Sequence, residues 1–512
     1  MDRQIRRLGV AFVALFALLF GQLAYVQVIA ADRIENHPAN FTRQLIAEYE
    51  VRRGAIVTQG GIVLAESVET KGEEALAFRR RYPQGDLFGH VTGFYSSVYG
   101  RSGLEQAMNP YLSGEAPELA VSNLTDLILG RPKEGASVVV TIDPDLQQAA
   151  RDALGGLPGA VAAIDPTNGD VLALWSNPSY DPNVLSSGNR DDIRQAWRQL
   201  NRDPEKPMRS RAFQELYLPG SSFKIVTAAA AIERGHGPDS VWPNPHRLDL
   251  PQTDNELQNF ADSFCNGGSS TVTMRSAFVQ SCNVTFGEIG LELGEEELAE
   301  QVHAFGYCTT LPPIRTECDE PTIPFALEPW SVGRYPDPIY YAERQPNLAY
   351  SAIGLDNDLT NPLMQALVAG AIANGGNQMA PRLVTEVRDP QGRTIETFEE
   401  DVWAHPITTQ TADRVTSMML EVVARGTASS AFAGFPLDRF PVAGKTGTAT
   451  QGEDVAPHAW FTAFGPAGQG QEPRIAVAVI VVNGGGNTEA TGGAVAAPIA
   501  REVFEAYMRG AP

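Results

Sequence analysis

Apolar positions along this chain fall into three rhythms. The first is an unbroken run: Leu8–Ala31 holds no charged residue in 24 positions and follows Arg3, Arg6 and Arg7. That exceeds the roughly 20 residues a helix needs to cross the hydrocarbon core of a bilayer, so a membrane-spanning helix is expected over 8–31. The arginines would keep its start in the cytoplasm and put everything after residue 31 outside. A cleaved signal peptide is the competing reading, and Ala30 and Ala31 would suit a cleavage site, but the run outlasts the usual short apolar region.

The second rhythm is short apolar runs bounded by turns, which predict strands. "AIVTQGGIVLAES" (55–67) reads as strand–turn–strand about Gly60-Gly61. "GAVAAIDPTNGDVLALWS" (159–176) reads as two strands joined by a Pro-Thr-Asn-Gly turn. "HAWFTAFGP" (458–466) and "RIAVAVIVVNGGG" (474–486) read as two more. The third rhythm is helical: "ASVVVTIDPDLQQAARDALGG" (136–156) leads a strand into a helix, and "AAPIAREVFEAYM" is a terminal amphipathic helix. Strands at both ends with helices between them predict an α+β fold, one antiparallel sheet from distant halves of the chain with helices on both faces. Residues 32–136, where "GRSGLEQAMNPYLSG" (100–114) turns into a short helix, read as a small mixed module before the main domain of 137–512.

Composition narrows the function. The 512 residues are 43% hydrophobic and 20% charged, with a formal net charge of −22; that acidity, with no basic stripe apparent, excludes nucleic acid as a partner. Four cysteines, Cys265, Cys282, Cys308 and Cys318, lie in one stretch, which in an oxidising compartment suggests two disulfides. Of the three pairings, Cys265–Cys282 with Cys308–Cys318 is the most local. No C-x-x-C or H-E-x-x-H pattern occurs, so neither a metal nor another cofactor is expected.

The chemistry concentrates in three short motifs. In "YLPGSSFKIVTAAAAIERG" (217–235), Pro219 and Gly220 break the preceding segment and Ser221 or Ser222 is expected to cap a helix that is apolar all round. A capped core helix with a snorkelling lysine is the bland reading. It sits badly with Lys224, because a helix N-terminus and burial both oppose its charge. Ser221 and Lys224 are three apart and share a face, so a neutralised amine beside a hydroxyl makes Ser221 an activated nucleophile. In "TVTMRSAFVQSCNVTFGEIGLELG" (271–294), Ser281-Cys282-Asn283 joins two helical patterns. Alone it is an ordinary joint; read functionally, Ser281 passes a proton and Asn283 holds a substrate amide. In "FPVAGKTGTATQ" (440–451), Gly447 between Thr446 and Thr448 marks the close approach of another backbone or a ligand. Lys445 adds a charge there, suiting an extended peptide that ends in a carboxylate.

The order S-x-x-K, S-x-N, K-T-G resembles the motif set of penicillin-binding proteins and serine β-lactamases. With the basic anchor, "VRRGAIVTQGGIVLAES", "YGRSGLEQAMNPYLSG" and "AAPIAREV", most of the chain resembles the monofunctional class B penicillin-binding proteins. The resemblance implies a transpeptidase domain of the penicillin-binding fold at 137–512, a pedestal or dimerisation module at 32–136, and a signal anchor at 1–31. It implies a D,D-transpeptidase that cross-links peptidoglycan stem peptides and is acylated by β-lactams. Ser221 would be the nucleophile, Lys224 its base, Ser281 the proton relay and Asn283 the donor-orienting amide. Lys445, Thr446, Gly447 and Thr448 would bind the terminal carboxylate, and the N–H groups of Ser221 and Thr448 would form the oxyanion hole. Cys282, inside the second motif, would stiffen the Ser281 loop if bridged and be an accessible thiol if free. The implied partner is a membrane glycosyltransferase of the shape, elongation, division and sporulation family. A D,D-carboxypeptidase differs only in using water as acceptor. A β-lactamase of the glutamate-assisted kind would need an E-x-x-L-N segment, which is absent between Asn283 and Lys445. A silent scaffold would not need all three motifs intact.

Overall fold

A computed structural model describes residues 2–26, 48–70, 76–120, 130, 132–312, 318, 322–450, 452 and 455–510. Its first helix, α1 (Asp2–Ala24), leaves its apolar side chains exposed and is long and apolar enough to cross a membrane. The part of the expected span beyond residue 26 lies outside the described residues.

The strands that matter here are, in chain order, β1 (Ile56–Thr58), β2 (Val63–Glu69), β3 (Phe78–Arg81), β4 (Ser137–Val140), β5 (Gly159–Ile164), β6 (Val171–Asn177), β7 (Val384–Arg388), β8 (Thr394–Thr397), β9 (Ala443–Ala449), β10 (His458–Gly465) and β11 (Ile475–Val481). The helices are α2 (Pro144–Leu154), α3 (Arg190–Arg202), α4 (Lys224–Glu233), α5 (Met274–Gln280), α6 (Asn283–Ala304), α7 (Pro362–Ala373), α8 (Thr409–Arg425) and α9 (Ala497–Gly510).

β1 and β2 form the hairpin expected at 55–67. They belong to a six-stranded sheet ordered β8-β7-β4-β1-β2-β3, in which β4 runs parallel to β1 and antiparallel to β7. Chain on both sides of residue 136 therefore builds this sheet. Beneath it Glu105, fully buried, bridges Arg53 at 2.6 Å and Arg80 at 2.5 Å.

The second sheet is the one the terminal rhythms predict. Its order is β9-β10-β11-β5-β6 and every pairing is antiparallel. The β5–β6 turn is closed by the Asp165 carboxylate, which accepts the Thr167 N–H at 2.8 Å. All residues of β5, β10 and β11 are buried, so both faces are covered. α2 and α9 pack on each other and on the sheet, while α7 lies against β5, β10 and β11. Each fully buried Val or Ile of β11 contributes about 1.5–3 kcal/mol through lost apolar exposure. α4 is buried from Lys224 to Ile232 and packs against α6 and α8. The turn that leads into it, Gly220–Phe223, packs on the edge strand β9, and the functional motifs meet there.

Candidate active site

Ser221 sits in a 3-10 turn, Gly220–Phe223, that runs straight into α4. The expected serine cap is absent. An N-cap residue needs extended backbone, whereas this turn already has helical angles from Pro219 onward apart from Gly220, which sits at φ +54°. Ser222 instead donates its hydroxyl to the Pro219 carbonyl at 2.8 Å and is buried. Ser221 is half-buried, and its hydroxyl has no such partner among the described residues.

The turn is pressed onto β9. A Cβ on Gly220 would lie 2.5 Å from the Thr448 carbonyl oxygen, and one on Gly447 would lie 2.7 Å from that of Pro219 and 3.0 Å from the Ser222 nitrogen. Only glycine at both positions permits the contact, which brings the first and third motifs together. The Trp460 indole, opposite Gly447 in the register, ties β10 to the same segment by donating to the Leu218 carbonyl at 2.9 Å.

The second motif closes the site from the other side. Ser281 ends α5 in left-handed backbone at φ 61°, and Asn283 begins α6. Lys224 Nζ donates to the Ser281 carbonyl and to Asn283 Oδ1, both at 2.8 Å, with Ser281 Oγ at 3.5 Å. Lys445 Nζ donates to Ser281 Oγ at 2.9 Å and to the Thr446 carbonyl at 3.0 Å. The Ser281 hydroxyl thus lies between two lysines, both fully buried. Burial lowers Lys224 well below the ordinary lysine value, and the Lys445 charge pushes the same way. Burial alone lowers Lys445 to about 7. No hydrogen bond links Ser221 Oγ to Lys224 among the described residues. A neutral amine can satisfy its two acceptors at 2.8 Å with two N–H groups and keep its lone pair for the Ser221 proton.

The remaining predicted residues divide. Thr448 is half-buried, and its hydroxyl accepts from Gly492 N at 3.4 Å. Thr446 is buried, with its hydroxyl 2.6 Å from that of Thr427, just beyond α8. The cysteines form two disulfides, Cys265–Cys282 and Cys308–Cys318, leaving no free thiol among the described residues. The first ties the middle of the Ser281–Asn283 motif to the preceding loop. Among the described residues no three His, Cys, Asp or Glu side chains converge as a metal would require.

Comparison with known proteins follows from this geometry. Residues 159–505 match the penicillin binding protein transpeptidase domain, and residues 53–138 match the penicillin binding protein A dimerisation domain. This chain belongs to the class B penicillin-binding proteins. It is 38% identical over 517 residues to the peptidoglycan D,D-transpeptidase PbpA of Mycolicibacterium smegmatis, covering 99% of both chains. Against the PbpA of Mycobacterium tuberculosis H37Rv it is 38% identical over 520 residues, covering 100% of both. Its fold superposes on a ceftriaxone acyl-enzyme complex of penicillin-binding protein A from M. tuberculosis with a TM-score of 0.80 and 37% identity, covering 90% of this chain and 99% of that one.

In this penicillin-binding protein one supporting residue escapes the motif reading. Asn259, buried, accepts the N–H groups of Asn283 at 2.8 Å and Val284 at 3.1 Å, capping α6 from outside. Its own amide donates to the Ser263 carbonyl at 3.1 Å, and the Asn283 amide donates to the Gln258 carbonyl at 3.2 Å. Among the described residues the Asn283 amide makes one such donation. The signal in sequence is slight: "DNELQNF" (254–260) is a polar stretch with no spacing relation to the helix it caps.

Proposed function

We propose that this chain is a serine D,D-transpeptidase that cross-links peptidoglycan stem peptides, with Ser221 as the acylated residue. Lys224 takes the Ser221 proton, and Oγ attacks the carbonyl of the donor's penultimate D-alanine. The oxyanion formed faces the backbone N–H groups of Ser221 and Thr448, preorganised by the contact of the nucleophile turn with β9. Ser281, held between Lys224 and Lys445, passes a proton to the amine of the departing D-alanine. An acceptor amine then attacks the acyl-serine, gives up its proton through the same groups, and frees Ser221. Asn283 orients the donor amide. Lys445 and Thr448 receive the terminal carboxylate along the Gly447 opening, and Thr446 fixes the strand through Thr427. β-Lactams acylate Ser221 by the same attack.

The observation that carries this reading is the pair of buried lysines on one serine hydroxyl, beside a serine turn seated on the sheet edge. Around it, residues 1–31 serve as cytoplasmic stub and single-pass anchor, 32–136 as pedestal, and 137–512 as an extracytoplasmic transpeptidase domain. A membrane glycosyltransferase of the shape, elongation, division and sporulation family, met through anchor and pedestal, supplies the glycan strands. The test is intact-mass spectrometry of the full-length chain in detergent with benzylpenicillin, beside Ser221→Ala. A stable one-to-one adduct confined to the parent is expected. Consumption of the drug without an adduct would point to hydrolysis, and neither adduct nor consumption would remove the serine from this role.

A further inference from the structure

The surface feature with the least structural reason is one flank of α3. Asn189 caps this helix, its Oδ1 accepting the Asp191 N–H at 2.9 Å. Ile193 is buried, and Ala196, Trp197 and Leu200 pack with Phe94 and Tyr99, whose ring stacks on Trp197 at 4.2 Å. That face accounts for the helix. Arg190, Arg194, Arg198 and Arg202 then recur every fourth residue along a flank beside it, and all four are exposed. At 1.5 Å per residue they set a charge about every 6 Å along the axis. Like charges at this spacing oppose the helix, and Arg190 stands at its positive end. The composition, with 61 acidic against 39 basic residues, hides this stripe.

Asp191, Asp192, Asp203 and Glu205 share the stretch but only Asp191 pairs with the row among the described residues. Arg194 meets Asp191 at 2.9 Å, but Arg190, Arg198 and Arg202 have no ion pair among the described residues. At its C-terminal end the helix borders, through Leu200 and Asn201, a cavity of about 580 Å³ whose other lining residues include Lys206, Met208, Arg209 and Gln214. Lys206 is exposed in left-handed backbone at φ 49°, and Arg209 shares Glu215 at 3.6 Å. From Arg209 the chain leads directly into the segment that ends at Ser221.

We propose that the α3 flank and its cavity bind an extended carboxylate-bearing strand of peptidoglycan, away from the peptide that reacts at Ser221. The identity of the polymer rests on the transpeptidase reading; the charge pattern does not. A chain of net charge −22 repels polyanions over most of its surface, so an arginine row with one ion pair among its four members is where such a strand would settle. Guanidinium groups present paired donors that match carboxylates. A strand held there keeps further stem peptides near the nucleophile after each cross-link, raising their effective concentration.

The test is co-sedimentation of the full-length chain, in non-ionic detergent and with Ser221→Ala to prevent turnover, with purified insoluble peptidoglycan. Replacing Arg190, Arg194, Arg198 and Arg202 together by Gln should weaken retention at least tenfold. The thermal midpoint should stay equal or rise, because like-charge repulsion is removed. Raising salt from 50 to 300 mM should release the parent and change the fourfold variant little. Unchanged retention in the variant, or salt-insensitive retention of the parent, overturns the proposal. So does a loss confined to anionic phospholipid vesicles or to polyglycerol phosphate, with peptidoglycan retention intact. Failure of benzylpenicillin to acylate Ser221 in the separate mass experiment would remove the transpeptidase reading without bearing on this retention.

Discussion

Arg53 and Arg80 in the pedestal and Lys224 and Lys445 in the active site are all withdrawn from water, but only the arginines meet a carboxylate. Burial would push the Glu105 carboxyl up, and the Arg80 and Arg53 charges more than reverse it, holding it below its ordinary value. That cluster stays charged and fixed. Among the described residues the lysines meet carbonyl, amide and hydroxyl oxygens and the faces of Phe286 and Phe278, at 5.5 and 5.6 Å, but no carboxylate. No counter-charge offsets their burial, which drives them toward the neutral amine, and a neutral amine is a base. Equal burial therefore gives a structural clamp in one place and a reactive group in the other. The partner decides which.

The sharpest way to break the comparison is to remove the base. Lys224→Met should slow benzylpenicillin acylation by about 1,000-fold, measured as adduct formation against time. Its thermal midpoint should hold or rise, since folding no longer has to take the proton from an amine that is charged in the unfolded chain. Near-parental acylation would mean that Lys224 is not the base. The pedestal should show the reverse. Glu105→Gln leaves Arg80 buried without its counter-charge and Arg53 with Glu48 alone, at 3.9 Å, and should cost about 3–5 kcal/mol, read as a lowered thermal midpoint. The fraction still folded should acylate at the parental rate. A Glu105→Gln chain as stable as the parent would show that the clamp is not what holds the pedestal.

pH sharpens the contrast. As the proposed base Lys224 would work only when neutral, so acylation should rise with pH through a midpoint well below 10.5 and then level off. Lys445, at about 7, loses its charge above that pH, so KM for a donor ending in a carboxylate should climb from pH 7 to 9. Stability follows the same sign. Between about 7 and the ordinary lysine value the folded chain binds fewer protons than the unfolded one. The Lys445 contribution therefore grows as pH rises through that window and is lost as pH falls toward 7, at up to about 1.4 kcal/mol per pH unit. Lys445→Met should flatten the slope of thermal midpoint against pH; an unchanged slope would mean that Lys445 keeps its charge on folding.

What the sequence made legible follows a pattern. The sheet from distant halves, the β5–β6 and β1–β2 hairpins and the three motifs were readable because each announces itself locally, by period, turn residues or an out-of-place charge such as Lys224. What depended on a distant partner was not. Nothing in the run of β7 and β8 says that they extend the pedestal sheet, because strand periodicity does not name the neighbour. The serine cap was misjudged because Gly220 lets the turn enter α4 already helical. Asn259 went unseen because its contact with Asn283 is purely tertiary. Asn259→Ala tests that hidden contact. Losing a cap on this scale costs about 1 kcal/mol, so acylation should fall roughly fivefold to tenfold. Asn259→Asp, which keeps the accepting oxygen, should recover most of it. Loss of stability with no change in acylation would make Asn259 a support of α6 alone.

The smallest expected effect decides between neighbours. Ser221 and Ser222 are adjacent hydroxyls on one turn, and the arrangement assigns them opposite duties. Ser222 Oγ is buried and spent on the Pro219 carbonyl, so it can neither reach a substrate nor leave its acceptor without loss. Ser222→Ala should therefore change acylation less than about threefold and stability by about 1 kcal/mol, the net worth of one hydrogen bond. A variant that cannot be acylated, yet melts normally, would mean that the Pro219–Ser222 bond sets the position of Ser221 Oγ. The seating of Gly220 and Gly447 against each other would then be insufficient to hold the nucleophile.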